Sequence, residues 1–202
     1  MAINKYMFIP LVFASLFLLK CKKLQIDCTQ VKYSFKLPVK AFPDKDTINI
    51  GDTIWLEINE SVTFKNTDGN LINYSGAANL GSAIGFSYRD TNLKQWVDAA
   101  DQFFFFLSKG TESTNTNPKL YREYLFSEQN GIYAFKLGVI PKRKGLYSLI
   151  LSNSNNTYRN SDKCTKANFS IIFQNTNQHY SLSPFYVPGT NPTGRDYYFF
   201  VR

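Results

Sequence analysis

The residue types that carry most enzyme chemistry are scarce in this chain of 202 residues. It has a single histidine, His179, and three cysteines, Cys21, Cys28 and Cys164. A Ser–His–Asp site would rest entirely on His179, which stands in the polar run Asn177-Gln178-His179-Tyr180 and reads as an exposed loop residue. No G-x-S-x-G, H-E-x-x-H or P-loop pattern occurs, and no Cys-x-x-Cys offers a zinc site. The carboxylate pairs Asp98 with Asp101 and Glu123 with Glu128 would serve glycoside hydrolysis only if they faced each other across a cleft, and spacing alone does not place them so. The expectation is no catalytic site, no cofactor and no metal. Aromatic rings are plentiful instead: 18 Phe, 13 Tyr and 2 Trp. Trp96, Tyr121, Tyr124 and Tyr180 are candidates for stacking on sugars, although a core position is the first expectation for any one ring.

The elements that would position such residues read as strands. Phe and Tyr suit a half-buried pleated surface, and Asn, Ser and Thr crowd the gaps as turns require. Alternating apolar residues mark strands at 31–37, 46–57 with a break at Gly51-Asp52, 61–64, 83–88, 121–126, 131–137, 145–151, 167–173 and 196–201. Pro38 and Pro43 are expected to bracket a linker, and 74–85 a flexible loop. Residues 93–100 are expected to form a helical turn. The run Phe103-Phe104-Phe105-Phe106-Leu107 is expected to be a strand covered on both faces, with an exposed, aggregation-prone edge as the alternative. Residues 111–118 read as a polar loop. Asn130-Gly131 predicts a hairpin joining 121–126 to 131–137. The segment 174–195 holds Pro184, Pro188 and Pro192 and is expected to be irregular. The aromatic strand 196–202 must pair with the body or be covered.

The first 20 residues are expected to lie outside the fold. Lys5 precedes an apolar run from Tyr6 to Leu19, which is short for a bilayer span of ~20 residues and suits a secretory signal. The sequence Leu18-Leu19-Lys20-Cys21 that follows resembles the lipobox of bacterial lipoproteins, although Lys20 stands where Gly, Ala or Ser is usual. The resemblance implies acyl chains on Cys21 and anchoring of a water-borne domain at a membrane. Cleavage near Phe13-Ala14-Ser15 and an uncleaved short anchor are the other options. With Cys21 acylated, Cys28 and Cys164 form an even pair in an oxidising compartment, and a bridge between them would contribute about 3–5 kcal/mol. The alternative is two unpaired buried thiols.

The net charge of +8 would suit nucleic acid or an anionic surface. The cations are dispersed, however, and the one tight cluster, Lys142-Arg143-Lys144 between Pro141 and Gly145, reads as a solvated turn. No nucleic-acid partner is expected. The stretch 48–56 and the strand Gly145-Leu146-Tyr147-Ser148-Leu149 resemble strands of immunoglobulin-like extracellular modules, in which a G-x-Y places a tyrosine hydroxyl against backbone. The chain as a whole resembles a group of small uncharacterised lipoproteins of Bacteroidota. The likeness rests on Cys21-Lys22-Lys23, Gly51 to Trp55, Ile140 to Tyr147, Cys164 and Tyr197 to Val201, and it brings no assigned activity.

The resulting expectation is an all-β, immunoglobulin-like antiparallel sandwich over 31–202, following a signal peptide at 1–20 and a tether at 21–30. It would be lipid-anchored at the outer membrane as a non-catalytic binding or interaction module for an envelope protein or a glycan. The alternative is a structural accessory subunit whose strand 196–202 adds to a neighbour's sheet.

Overall fold

The computed structural model describes residues 30–66, 68–114, 119–190 and 192–202. The signal segment 1–20, Cys21 and Cys28 lie outside the described residues. The described chain is a β-sandwich of two seven-stranded sheets and a small hairpin.

Sheet 1 contains β1 (Val31–Phe42), β3 (Ile54–Ser61), β8 (Phe103–Lys109), β11 (Ser127–Gln129), β12 (Ile132–Pro141), β14 (Ser154–Arg159) and β15 (Asp162–Phe173). Sheet 2 contains β2 (Thr47–Ile48), β6 (Gly81–Asp90), β7 (Gln95–Asp98), β9 (Thr111–Ser113), β10 (Tyr121–Leu125), β13 (Gly145–Leu151) and β16 (Asp196–Val201). The hairpin is β4 (Thr63–Lys65) with β5 (Leu71–Asn73). The order across sheet 1 is β11-β12-β3-β1-β15-β14, with β8 beside the far half of β12. Across sheet 2 it is β2-β16-β13-β6-β10-β9, with β7 on β6.

The sheets are mixed rather than purely antiparallel, because β1 runs parallel to β15 and β2 parallel to β16. Alternate residues of each strand bury between them. Leu37, Ile54, Leu56, Leu137, Val139, Phe169 and Ile171 face Phe86, Tyr147, Leu149, Tyr197 and Phe199, all fully buried. Ring pairs cross the interface, Phe103 on Tyr147 at 5.0 Å and Tyr124 on Phe135 at 5.5 Å. Tyr147 also donates its hydroxyl to the Arg143 carbonyl at 3.0 Å, closing the corner before β13.

Several expectations change. Pro38 lies inside β1, where the strand hands over from β15, its partner to Val39, to β3, its partner from Lys40. A missing N–H is tolerated where one side is unpaired. The Gly51-Asp52 break does more than bend a strand: β2 and β3 belong to opposite sheets. The turn that carries the chain across has Gly51 at φ +86 and Asp52 Oδ2 accepting from Asn49 N at 2.8 Å. Residues 95–98 form a strand paired antiparallel to β6 rather than a helical turn, since the Asp90 carboxylate closes a tight turn by accepting from Asn92 N and Leu93 N. Only Ala100–Gln102 coil, as a 3-10 turn.

Strands 121–125 and 132–141 do not pair with each other, because the chain switches sheets at Phe126. The hairpin at Asn130-Gly131 joins β11 to β12 instead, and both turn residues have the positive φ of a type I′ turn. Residues 111–113 add a short strand, and β14 forms from a polar, Asn-rich stretch in which no strand is expected. The segment 174–195 is irregular apart from a 3-10 turn at Tyr180–Leu182. Strand β16 is internal, held between β13 and β2.

Candidate functional site

Two surfaces could carry function, one on each sheet. On sheet 1, a single row of paired positions crosses four strands: Phe42 on β1, Trp55 on β3, Gly138 on β12 and Phe106 on β8. All project away from the core, since the alternate positions Ala41, Leu56, Leu137 and Val139 are buried. Gly138 leaves the row open in the middle. A Cβ there would lie 3.2 Å from the Trp55 ring, so glycine lets the indole lie against the sheet. The Phe106 ring meets Trp55 edge-on at 6.0 Å.

Phe104 extends the apolar surface along β8. It is 62% exposed and Phe106 58%, so the tetraphenylalanine run is covered on one face only, contrary to the first expectation. The reason is position: β8 is an outer strand whose inward residues, Phe103 and Phe105, pack on Phe86, while the outward pair, Phe104 and Phe106, stays more than half exposed. Cations border the rings. Lys136 pairs with Glu57 at 3.4 Å and holds its ammonium over Trp55 and Phe42 at 5.3 and 5.4 Å, and Lys142 sits 4.3 Å over Phe104. Lys142, Arg143 and Lys144 are exposed in their turn.

The outer face of sheet 2 is partly roofed by the 174–195 segment. Tyr198 packs between Trp96 at 5.9 Å and Tyr180 at 5.8 Å, and Tyr180 stacks on Tyr186 at 6.3 Å. Gln178 Nε2 donates to the Tyr180 hydroxyl and to the Asp196 carbonyl, both at 2.7 Å. Burial pushes the Tyr180 phenol up to about 12. Trp96 and Tyr180 are therefore packing residues here, not a bare platform.

His179 is 6% exposed rather than a surface loop residue. Its Nδ1 donates to the Tyr198 carbonyl at 3.0 Å, a carbonyl being able only to accept, and its Nε2 lies 3.3 Å from Asp44 Oδ1. Asp44 Oδ2 also accepts from Asn177 N at 3.1 Å. The histidine thus fastens the irregular segment to the 43–46 loop. Sequence reasoning missed this because Asp44 lies 135 residues away and Tyr198 19 residues away along the chain.

Beyond the roof, sheet 2 ends in a polar cleft of about 370 Å³. Glu123 on β10 lies between Ala83 on β6 and Ser113 on β9 in register. Asn79, the link Ser152-Asn153 and the start of β14 at Ser154-Asn155 complete the wall.

The paired carboxylates are not brought together. Glu123 is on sheet 2, whereas Glu128 is on sheet 1 and accepts from Gly76 N at 2.7 Å and from the Ser75 hydroxyl. Asp98 and Asp101 are both exposed and line no described cleft. Tyr124 is buried, which raises its phenol strongly, and Tyr121 is half-buried at the start of β10. Cys164 lies near the start of β15, one residue before Thr165, which pairs with Val31. Among the described residues, no group of three or more His, Cys, Asp or Glu side chains is placed to hold a metal ion, and no helix is long and apolar enough to cross a membrane. Comparison with protein-family models, with characterised proteins and with solved structures finds no match.

Proposed function

We propose that the chain is a non-catalytic binding module, held at a cell-envelope membrane through acyl chains on Cys21, that presents the outer face of sheet 1 to a protein partner. The observation that carries this reading is the pair Phe104 and Phe106, each more than half exposed on an outer strand and continuous with Trp55. Large rings held in water on a rigid sheet favour association, because covering them removes apolar area at about 25 cal/mol per Å². The bordering Lys136 and Lys142 favour a partner whose apolar patch has an acidic rim.

The Tyr147 corner supports an immunoglobulin-like assignment. A Cys28–Cys164 bridge is supported by the parallel register, which sets Val31, three residues after Cys28 in sequence, beside Thr165, one residue after Cys164. Internal placement of β16 weakens the accessory-subunit alternative, since that strand already has partners on both sides.

A photo-crosslinking residue at position 106, in cells that make the protein, tests the interaction face. The expected result is one discrete adduct at 106 and none at Leu71, which is more exposed but isolated on the small hairpin. Equal, diffuse labelling at both positions would remove the face from consideration. Intact mass before and after reduction, together with membrane fractionation of Cys21→Ala, tests the tether and the bridge.

A further inference from the structure

We propose that the polar cleft at the end of sheet 2 binds a small neutral saccharide. The site lies on the opposite sheet from the aromatic face and stands or falls independently of that face. The cleft's volume, about 370 Å³, falls at the small end of the ~300–1,000 Å³ range of small-ligand pockets, which suits a mono- or disaccharide.

Its lining is the argument. Asn79, Ser113, Glu123 and Asn155 all face it, and none makes a side-chain hydrogen bond or ion pair among the described residues. Two exposed amides, a half-buried hydroxyl and a half-buried carboxylate therefore stand around one open cleft with no protein partner among the described residues. Amides offer both a donor pair and an acceptor, and a carboxylate accepts from two hydroxyls at once, which matches the vicinal diols of a sugar ring. Leu125 gives the ring's C–H face an apolar contact.

Charge narrows the class. In a chain of net charge +8, no Lys or Arg among the described residues lines this cleft, and Glu123 is the one charged group among them that does. A phosphorylated or carboxylated ligand would meet an uncompensated carboxylate, whereas a neutral polyol would not.

The wall is also pre-formed. Ser82 Oγ donates to the Ser152 carbonyl at 2.9 Å, Ala83 N donates to Ser152 Oγ at 2.8 Å, and Asn153 Oδ1 accepts from Ile171 N at 3.2 Å. The link Ser152-Asn153, which leads into β14 and Asn155, is thus fixed to both sheets before any ligand arrives, which lowers the ordering cost of binding.

The test is saturation-transfer NMR on the full chain in phosphocholine detergent, against maltose, cellobiose, lactose, xylobiose, mannobiose and diacetylchitobiose, with glucuronate as a charged control. At least one disaccharide is expected to receive magnetisation, and glucuronate none. Glu123→Ala should weaken binding about tenfold or more, and Glu123→Gln less, since the neutral amide keeps one acceptor. Thermal melting of both variants verifies the fold. Phe104→Ser with Phe106→Ser should leave sugar binding unchanged, which separates this site from the sheet 1 face. No transfer to any of the six, preference for glucuronate, or transfer insensitive to Glu123 would each overturn the proposal. Transfer lost in the double phenylalanine variant would overturn it by assigning the sugar to sheet 1.

Discussion

The outer faces of the two sheets are both aromatic, and they are treated in opposite ways. On sheet 2, Trp96 and Tyr198 are covered by the irregular segment 174–195, which is fastened by His179 and Gln178. On sheet 1, Phe104 and Phe106 have no such cover among the described residues, although their rings carry no polar atom at all. A sheet face that needs only to be kept from water receives a strap from its own chain. A face left bare on a rigid scaffold retains its apolar area for association.

If β16 and its strap belong to the core of the fold, the largest effect should come from Phe199→Ala. The ring is fully buried and touches Tyr147 and Phe103, so about 3–5 kcal/mol of stability should be lost in urea unfolding. A cost below ~1 kcal/mol would make β16 an appended strand and break the contrast.

Titration probes the same interior. Burial pushes the phenols of Tyr74 and Tyr147 up to about 12 from an ordinary value of 10.0, the nearby Arg159 and Arg143 opposing it. Above pH 10 the unfolded chain gives up these protons while the folded chain keeps them. Their contribution is therefore complete below pH 10 and is lost as pH rises towards 12. The slope should approach about 1.4 kcal/mol per pH unit for each tyrosine, read from urea midpoints between pH 9 and 11.5. A flat profile above pH 10 would mean that the two hydroxyls reach water.

The clasp comes next. His179→Ala removes a buried hydrogen bond and the contact with Asp44, at a cost of about 1–3 kcal/mol. Release of the strap should also red-shift the emission of Trp96, which a Trp55→Phe background isolates. An unmoved spectrum would show that the strap holds without the histidine.

On the bare face the effects should be smaller. Gly138→Ala crowds the Trp55 ring and Thr53, whose methyl would lie 3.0 Å away, and should cost about 1 kcal/mol while moving the Trp55 emission. Phe104→Ser with Phe106→Ser should change stability by no more than about 0.5 kcal/mol, and Phe104→Ser alone, in the protein that carries the crosslinking residue at 106, should abolish the position-specific crosslink. A large loss of stability would turn this face into part of the core and erase the difference between the sheets.

Much of the strand content was legible because a half-buried strand imposes a period of two on its own residues. Phe35, Leu37 and Phe169, Ile171 announce themselves in that way, and Asn130-Gly131 announces its turn. Strand β14 did not, since Ser154 and Thr157 pair with β15 through backbone on either side of an irregularity at Asn155-Asn156, which leaves no apolar alternation to read. The helical expectation at 93–100 failed because antiparallel pairing with β6 overrode local preference. Of the candidate site, Phe104 and Phe106 were visible as residues but not as a surface, and the cleft around Glu123 was not visible at all. It is assembled from Asn79, Ser113, Glu123 and Asn155, which are spread over more than a third of the chain.

What the sequence determined by itself is the material: a β-rich chain, heavy in aromatic rings, with one histidine and no catalytic motif. Alternation, turn residues and composition act within a few positions of each other, so they can be read along the chain. Only the tertiary structure decided which sheet each strand joins, which face of the phenylalanine run meets water, and that His179 is a buried clasp. Those outcomes depend on partners far away in sequence, since β1 pairs with β15 and Asp44 meets His179 only once both sheets have formed.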